Sequence, residues 1–207
     1  MESPIWNRTL QDFCDHVARG EKPIVGGVVA GAISARLGLS LLAMTLEVTR
    51  RRRNFEGDRE QLGGLLRAVN YESGRMKNLA DEDLAAYQDY CECVKQDGVK
   101  KNAALRRIIE IPLEAARCAA HGLDLCARAT PVIPPAVVSD LGGAVQLLAG
   151  AVRSILLSVD SNLRSHPDDD FRATAQEERG RLELQATEQA QHITEKVALL
   201  ISSRNPR

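Results

Sequence analysis

The chain has 207 residues, in which 27 lysines and arginines face 28 aspartates and glutamates and only 3% of residues are aromatic. That length accommodates one sizeable core, while the balanced charge and the scarcity of stacking side chains argue against nucleic acid as a partner. Five irregularly spaced cysteines (Cys14, Cys91, Cys93, Cys118, Cys126), with no leader resembling a secretory signal, predict free thiols in a reducing cytoplasm. Cys91 and Cys93 are two apart and point apart on a helix, so they predict no zinc site.

In chain order, Ser3-Pro4 predicts the cap and first turn of a short helix that carries Leu10, Phe13, Cys14 and Val17 at helical spacing up to Gly20. Gly26-Gly27 then opens a long apolar run that Arg50-Arg51-Arg52-Arg53 closes. Residues 24–46 are long enough to cross a bilayer. Arg36 near the middle, four glycines and two serines would make insertion cost several kcal/mol, so a buried core helix and no membrane partner are predicted. Its small residues Ala30, Gly31, Ala35 and Gly38 predict close approach of another helix, within a bundle or across a dimer. Asp58 to Lys95 carries one apolar stripe from Leu62 to Val94 with helical period, bent near Gly74. Lys100 to His121 continues as a helix in which Pro112 lacks an amide donor, predicting a bend and a carbonyl exposed towards a site. Thr130 to Pro135 reads as a loop and Ala136 to Leu163 as a further helix with small residues. Asp168-Asp169-Asp170 opens a last helix with a weak apolar face through Leu182, Leu184, Ile193, Val197 and Leu200. No segment alternates with period two, so residues 1–207 read as an all-α, single-domain bundle of long helices.

Several residues carry chemistry in this pattern. Asp83 shares a helix face with Tyr87, beside Leu79, Leu84 and Cys91 on the buried side. A carboxyl at the edge of an apolar face can be raised in pKa and serve as general acid or base; the same run, Asp81-Glu82-Asp83, also reads as a solvated acidic patch. Ser139-Asp140 reads either as a helix cap or as a polar pair at a site. Gly26-Gly27 serves a turn, or presents backbone amides to an anion or carbonyl. The four arginines are a solvated helix end or a carboxylate and phosphate site. The histidines (His16, His121, His166, His192) stand apart without a partner motif.

Taken in order, these pieces resemble the cyclodeaminase/cyclohydrolase family, folate enzymes that include the deaminase domain of formiminotransferase-cyclodeaminase and bacterial methenyltetrahydrofolate cyclohydrolase. The family's P-x-P-G-G-G-[SG] loop is matched by Pro23 to Val29, followed at matching spacing by Met44, Thr49, Arg52-Arg53 and Phe55. Its D-x-x-A-[FY] motif is matched by Asp83, Ala86 and Tyr87, its P-L-x-x-A signature by Pro112, Leu113 and Ala116, and its S-D segment and later asparagine by Ser139-Asp140 and Asn162. The resemblance implies a helical homodimer with a cleft for a tetrahydrofolate derivative as substrate, and no metal or redox cofactor. It implies closure of 5-formiminotetrahydrofolate to the 5,10-methenyl form, or opening of the latter by water. Asp83 would then be the general acid or base and Asp140 a second carboxylate. Gly26, Gly27 and Val28 would face the substrate, Arg52 and Arg53 would hold its glutamate carboxylate, and Tyr87, Ser139 and Asn162 would complete the binding set. Val25, Val28 and Val29 replace the loop's second proline, third glycine and following small residue; Arg51 and Glu47 also depart from the pattern. Three β-branched residues fill space that glycine leaves open, which predicts the alternatives of a repurposed relative acting on a more apolar molecule or of a non-catalytic helical dimer.

Overall fold

The computed structural model describes residues 5–94 and 98–202, and among them every regular element is a helix. The predicted start at Ser3-Pro4 lies outside the described residues. Helix α1 runs Leu10–Arg19, capped by Thr9, whose hydroxyl accepts the Asp12 amide at 3.1 Å. It ends at Gly20, whose φ of 62° is the left-handed stop that glycine supplies most readily. Helix α2 is Gly27–Arg50, ending short of the predicted Arg53. Helix α3, Arg59–Cys93, is capped by Asp58, which accepts the amides of Glu60 and Gln61. It continues through Gly74 without interruption. Helix α4, Val99–Ala129, extends beyond the predicted end at His121 and carries Pro112 inside. A 3₁₀ turn, Thr130–Val132, occupies the predicted loop. Helix α5 is Val138–Leu163 and helix α6 is Asp169–Ser202, the latter capped by Asp168 on the Phe171 amide at 3.0 Å.

The centre of the bundle is an antiparallel pair, α2 against α5, and glycine sets its closeness. A Cβ on Gly31 would meet Ile155 at 2.8 Å, and one on Gly38 would meet Leu148 at 2.9 Å and the Ala144 carbonyl at 3.0 Å. Gly31 and Gly38 of the small-residue run are therefore used inside one chain, while Ala30 is exposed. Leu39, Leu42, Leu46, Leu148, Ile155 and Leu156 are fully buried around this seam. Helix α3 packs on α2 and α4, α4 on α5, and α6 closes over α4 and α5. Both central helices are long and apolar enough to cross a membrane by length and composition, with about half of each apolar window buried against the rest of the bundle. Arg36, midway along α2, lies over the Trp6 ring at 4.4 Å and donates to Ser73. On the far side, Arg75 pairs with Glu72 and Glu114, and Arg117 with Glu114 and Glu178, tying α3, α4 and α6 together.

Candidate functional site

Because α2 and α5 run antiparallel, the N-terminus of α2 lies beside the C-terminal turns of α5, where residues of α3 and α4 meet them. A cavity of about 210 Å³ opens at this crossing. Its roof is the start of α2, where Gly26 is the N-cap and supplies no side-chain acceptor, so the first amides of the helix have no intrahelical partner. They and the helix dipole favour a carbonyl or anionic group there. Gly26 has φ −93°, and no non-glycine residue among those described takes positive φ. Valine therefore fits the loop without strain. The expectation that the three valines crowd the pocket is not met: Val29 is buried with Ile5 and Leu84, Val25 packs against that cluster, and Val28 lies in the main core with its edge on the cavity wall.

Helix α3 brings Asp83, Leu84 and Tyr87 to the cavity. The three consecutive carboxylates have separate surroundings. Asp81 accepts the Trp6 indole N–H at 3.1 Å, Glu82 is exposed, and Asp83 is half-buried with no hydrogen bond or ion pair from any described residue. Loss of water around Asp83 is the cause that raises its carboxyl to about 7. Near neutral pH it is thus split between donor and acceptor forms. The Tyr87 phenol is held above its ordinary range by the neighbouring Cys91, through charge and a hydrogen bond. Cys91 itself is exposed, correcting the expectation that it marks the buried side.

The third wall joins α4 and α5. Pro112 has no amide to give the carbonyl four residues earlier, that of Ile108, and Asn162 Nδ2 donates to this carbonyl at 2.8 Å. The freed carbonyl predicted from Pro112 exists, but a side chain of α5 takes it rather than a ligand. Ser158 and Ser161 add hydroxyl groups to the same wall. The sequence reading passed over these serines and Ile108. The signal was present: Ser154, Ser158 and Ser161 recur at helical spacing through an otherwise apolar helix.

The cavity gathers Gly26, Gly27, Val28, Asp83, Tyr87 and Asn162. It does not gather Arg52, Arg53, Ser139 or Asp140. Asp140 and Asn162 are 22 residues apart on one helix, which at 1.5 Å per residue places them about 33 Å apart. Arg52 and Arg53 lie beyond the far end of α2, exposed, near the Arg59 guanidinium that donates to the carbonyls of Arg50 and Arg52. Ser139 is no cap either, since the N-cap of α5 is Val137 and no side chain bonds there. The antiparallel pairing of α2 with α5 puts Arg52-Arg53 and Ser139-Asp140 at the same end of the bundle, opposite Asp83.

Two further hollows flank the cavity. A groove of about 400 Å³ continues past Ile24 and Tyr87 to Pro23, Gln88 and Cys91. A shallow basin of about 760 Å³ lies at the α5–α6 corner, where Arg172 pairs with Asp169, and Arg179 with Asp160 and Glu183. The basin is larger and, apart from Arg164, its charged side chains are paired with one another; the smaller cavity holds Asp83, a carboxyl with no partner among the described residues. Among the described residues no group of three or more His, Cys, Asp or Glu side chains converges as metal ligands do.

A family model described as Formiminotransferase-cyclodeaminase matches residues 9–181. The formimidoyltransferase-cyclodeaminase of Sus scrofa is 26% identical over 213 aligned residues that cover 95% of this chain; the chain spans 38% of that relative's length. The crystal structure of formiminotetrahydrofolate cyclodeaminase from Thermotoga maritima matches with a TM-score of 0.89 at 21% identity, covering 94% of this chain and 98% of that one. At that identity the structural likeness speaks for the fold.

Proposed function

This chain belongs to the formiminotransferase-cyclodeaminase family, and from that membership we propose that it is a cytoplasmic folate cyclodeaminase, closing 5-formiminotetrahydrofolate to 5,10-methenyltetrahydrofolate with loss of ammonia. The observation that carries the reading is Asp83, an unpaired carboxyl raised to about 7 in a cavity roofed by a helix N-terminus. In this reaction N10 adds to the formimino carbon, and the N10 proton passes to the formimino nitrogen. The resulting amino group takes one more proton and departs as ammonia, leaving a cationic methenyl bridge. Asp83 in its acid form supplies that last proton and ends as a carboxylate beside the cation, which stabilises the charge as it develops. The amides of Gly27 and Val28 hold a carbonyl of the pterin, and Asn162 and the α5 hydroxyls its polar edge. These residues bind, orient and move one proton.

The cavity of about 210 Å³ and the groove of about 400 Å³ that continues it together fall within the roughly 300–1,000 Å³ of ordinary ligand sites. The reading also includes a homodimer, because the motif residues Arg52, Arg53 and Asp140 lie away from this cavity. Ala30, Leu37, Met44 and Val48 of α2 and Gly150 and Leu157 of α5 form an exposed, mostly apolar face interrupted by Arg153. A twofold axis across that face lays two α2 helices antiparallel. Arg52-Arg53 and Asp140 of the second subunit then reach the Asp83 end of the first, where the arginines meet the glutamate tail. The valine substitutions give no separate support to a more apolar substrate, because two of the three side chains turn away from the cavity. Purified protein incubated with 5-formiminotetrahydrofolate is expected to generate methenyl absorbance in proportion to protein added. No rise above the uncatalysed rate rejects the reading.

A further inference from the structure

Pro112 sits in the interior of α4, where proline is strongly disfavoured because it lacks the amide donor and its ring crowds the preceding turn. No turn or helix end is served by it. It leaves the Ile108 carbonyl without the donor that residue 112 would otherwise supply, and Ile108 borders the cavity. Asn162 supplies the missing donor from α5 at 2.8 Å. A carbonyl oxygen only accepts, so the group of Asn162 that faces it is the NH₂. Oδ1, the other polar atom of that amide, accepts from no described residue, and Asn162 lines the cavity.

We infer that Pro112 is a positioning residue for the pocket: by leaving Ile108 without its helical donor it holds Asn162 with nitrogen towards α4 and oxygen towards the cavity, where that oxygen accepts an N–H of the bound ligand. The ligand class this selects is a heterocycle with an N–H donor on the edge facing α5. A pocket wall that offers an acceptor disfavours an analogue presenting a carbonyl or anion at that position, because two acceptors would then be left facing each other. The nature of the ligand rests on the folate reading; the role of Pro112 in fixing Asn162 does not.

The Pro112→Ala variant restores an amide at position 112, which competes with Asn162 for the Ile108 carbonyl and frees the Asn162 side chain to rotate. In ¹⁵N-labelled protein the Asn162 side-chain amide, assigned with Asn162→Asp, is expected to exchange more slowly than those of exposed asparagines, and to lose that protection in Pro112→Ala while helicity is unchanged. With 5-formyltetrahydrofolate as probe, Pro112→Ala is expected to weaken binding roughly 3–10-fold, the equivalent of one hydrogen bond. The same change made on an Asn162→Ala background is expected to have no further effect, since coupled residues are not additive. Additive losses overturn the inference, because a merely structural proline acts regardless of Asn162. Fast exchange of Asn162 in the unmodified protein overturns it too, and needs no variant to fold. If Asn162 is protected as expected but the probe does not bind the unmodified protein, the folate reading fails and the positioning role stands.

Discussion

Asp83 is a half-buried carboxyl that receives no hydrogen bond or ion pair from any described residue, and loss of water raises it to about 7. Its position on the Tyr87 face, beside Leu79 and Leu84, was enough to expect a carboxyl at the edge of apolar surface. Its isolation was not legible, because which donors the fold brings to this run, as it brings Trp6 to Asp81 from 75 residues earlier, cannot be read from spacing. The raised pKa has a stability consequence with a definite sign. An acid with a folded pKa near 7 and an unfolded one near 4 binds its proton more tightly when folded. The folded state therefore pays nothing at pH 4, pays increasingly as pH rises, and carries the full penalty above about 7. Asp83→Asn removes that penalty. The variant is expected to unfold at higher denaturant concentration than the parent at pH 8, by roughly 2–4 kcal/mol, and at similar concentration at pH 4. Denaturant titrations at the two pH values check this, and a variant that is no more stable at pH 8 contradicts the assigned surroundings of Asp83.

The elements were mostly legible, since apolar spacing at period 3.6 is a long and redundant signal. Their ends were set by single capping side chains, Thr9, Asp58 and Asp168, and by Gly20. The α2–α5 seam was legible as small residues, but which glycines touch a partner required the antiparallel register. That register separates glycines of opposite consequence. In Gly38→Ala the new methyl meets the Ala144 carbonyl and Leu148 at about 3 Å, and the expected loss from overpacking is about 1–3 kcal/mol. Gly74 on α3 is exposed with nothing within 4 Å of a built Cβ, so Gly74→Ala is expected to stabilise by about 0.5–1 kcal/mol. Thermal melts of the two variants should move in opposite directions; a shared direction contradicts the described packing of the seam.

For the whole molecule, the motif residues fall into two groups at opposite ends of one chain, a division that no spacing in the sequence revealed. Motif order along a chain says nothing of which helix ends coincide; that is settled by the antiparallel pairing of α2 with α5. The proposed twofold dimer would reunite the groups, and this has a test independent of any one residue. Asp83→Asn and a double variant, Arg52→Glu with Arg53→Glu, are each expected to be inactive alone. Mixed in equal amounts and allowed to exchange subunits, they are expected to recover about a quarter of parental activity, because half of randomly formed dimers are mixed and each mixed dimer has one intact site of two. No recovery, with subunit exchange verified, contradicts a site shared between subunits.

The proposed delivery by Asp83 of the proton that releases ammonia is tested by the pH dependence of single-turnover closure of 5-formiminotetrahydrofolate, followed by methenyl absorbance. The parent protein is expected to hold a constant rate at acid pH and to lose about tenfold per pH unit above about 7, as the acid form of Asp83 is titrated away. Asp83→Asn is expected to lie roughly 100-fold or more lower, with that inflection gone. A variant that closes the ring at the parental rate, or that keeps the same inflection near 7, would contradict the account.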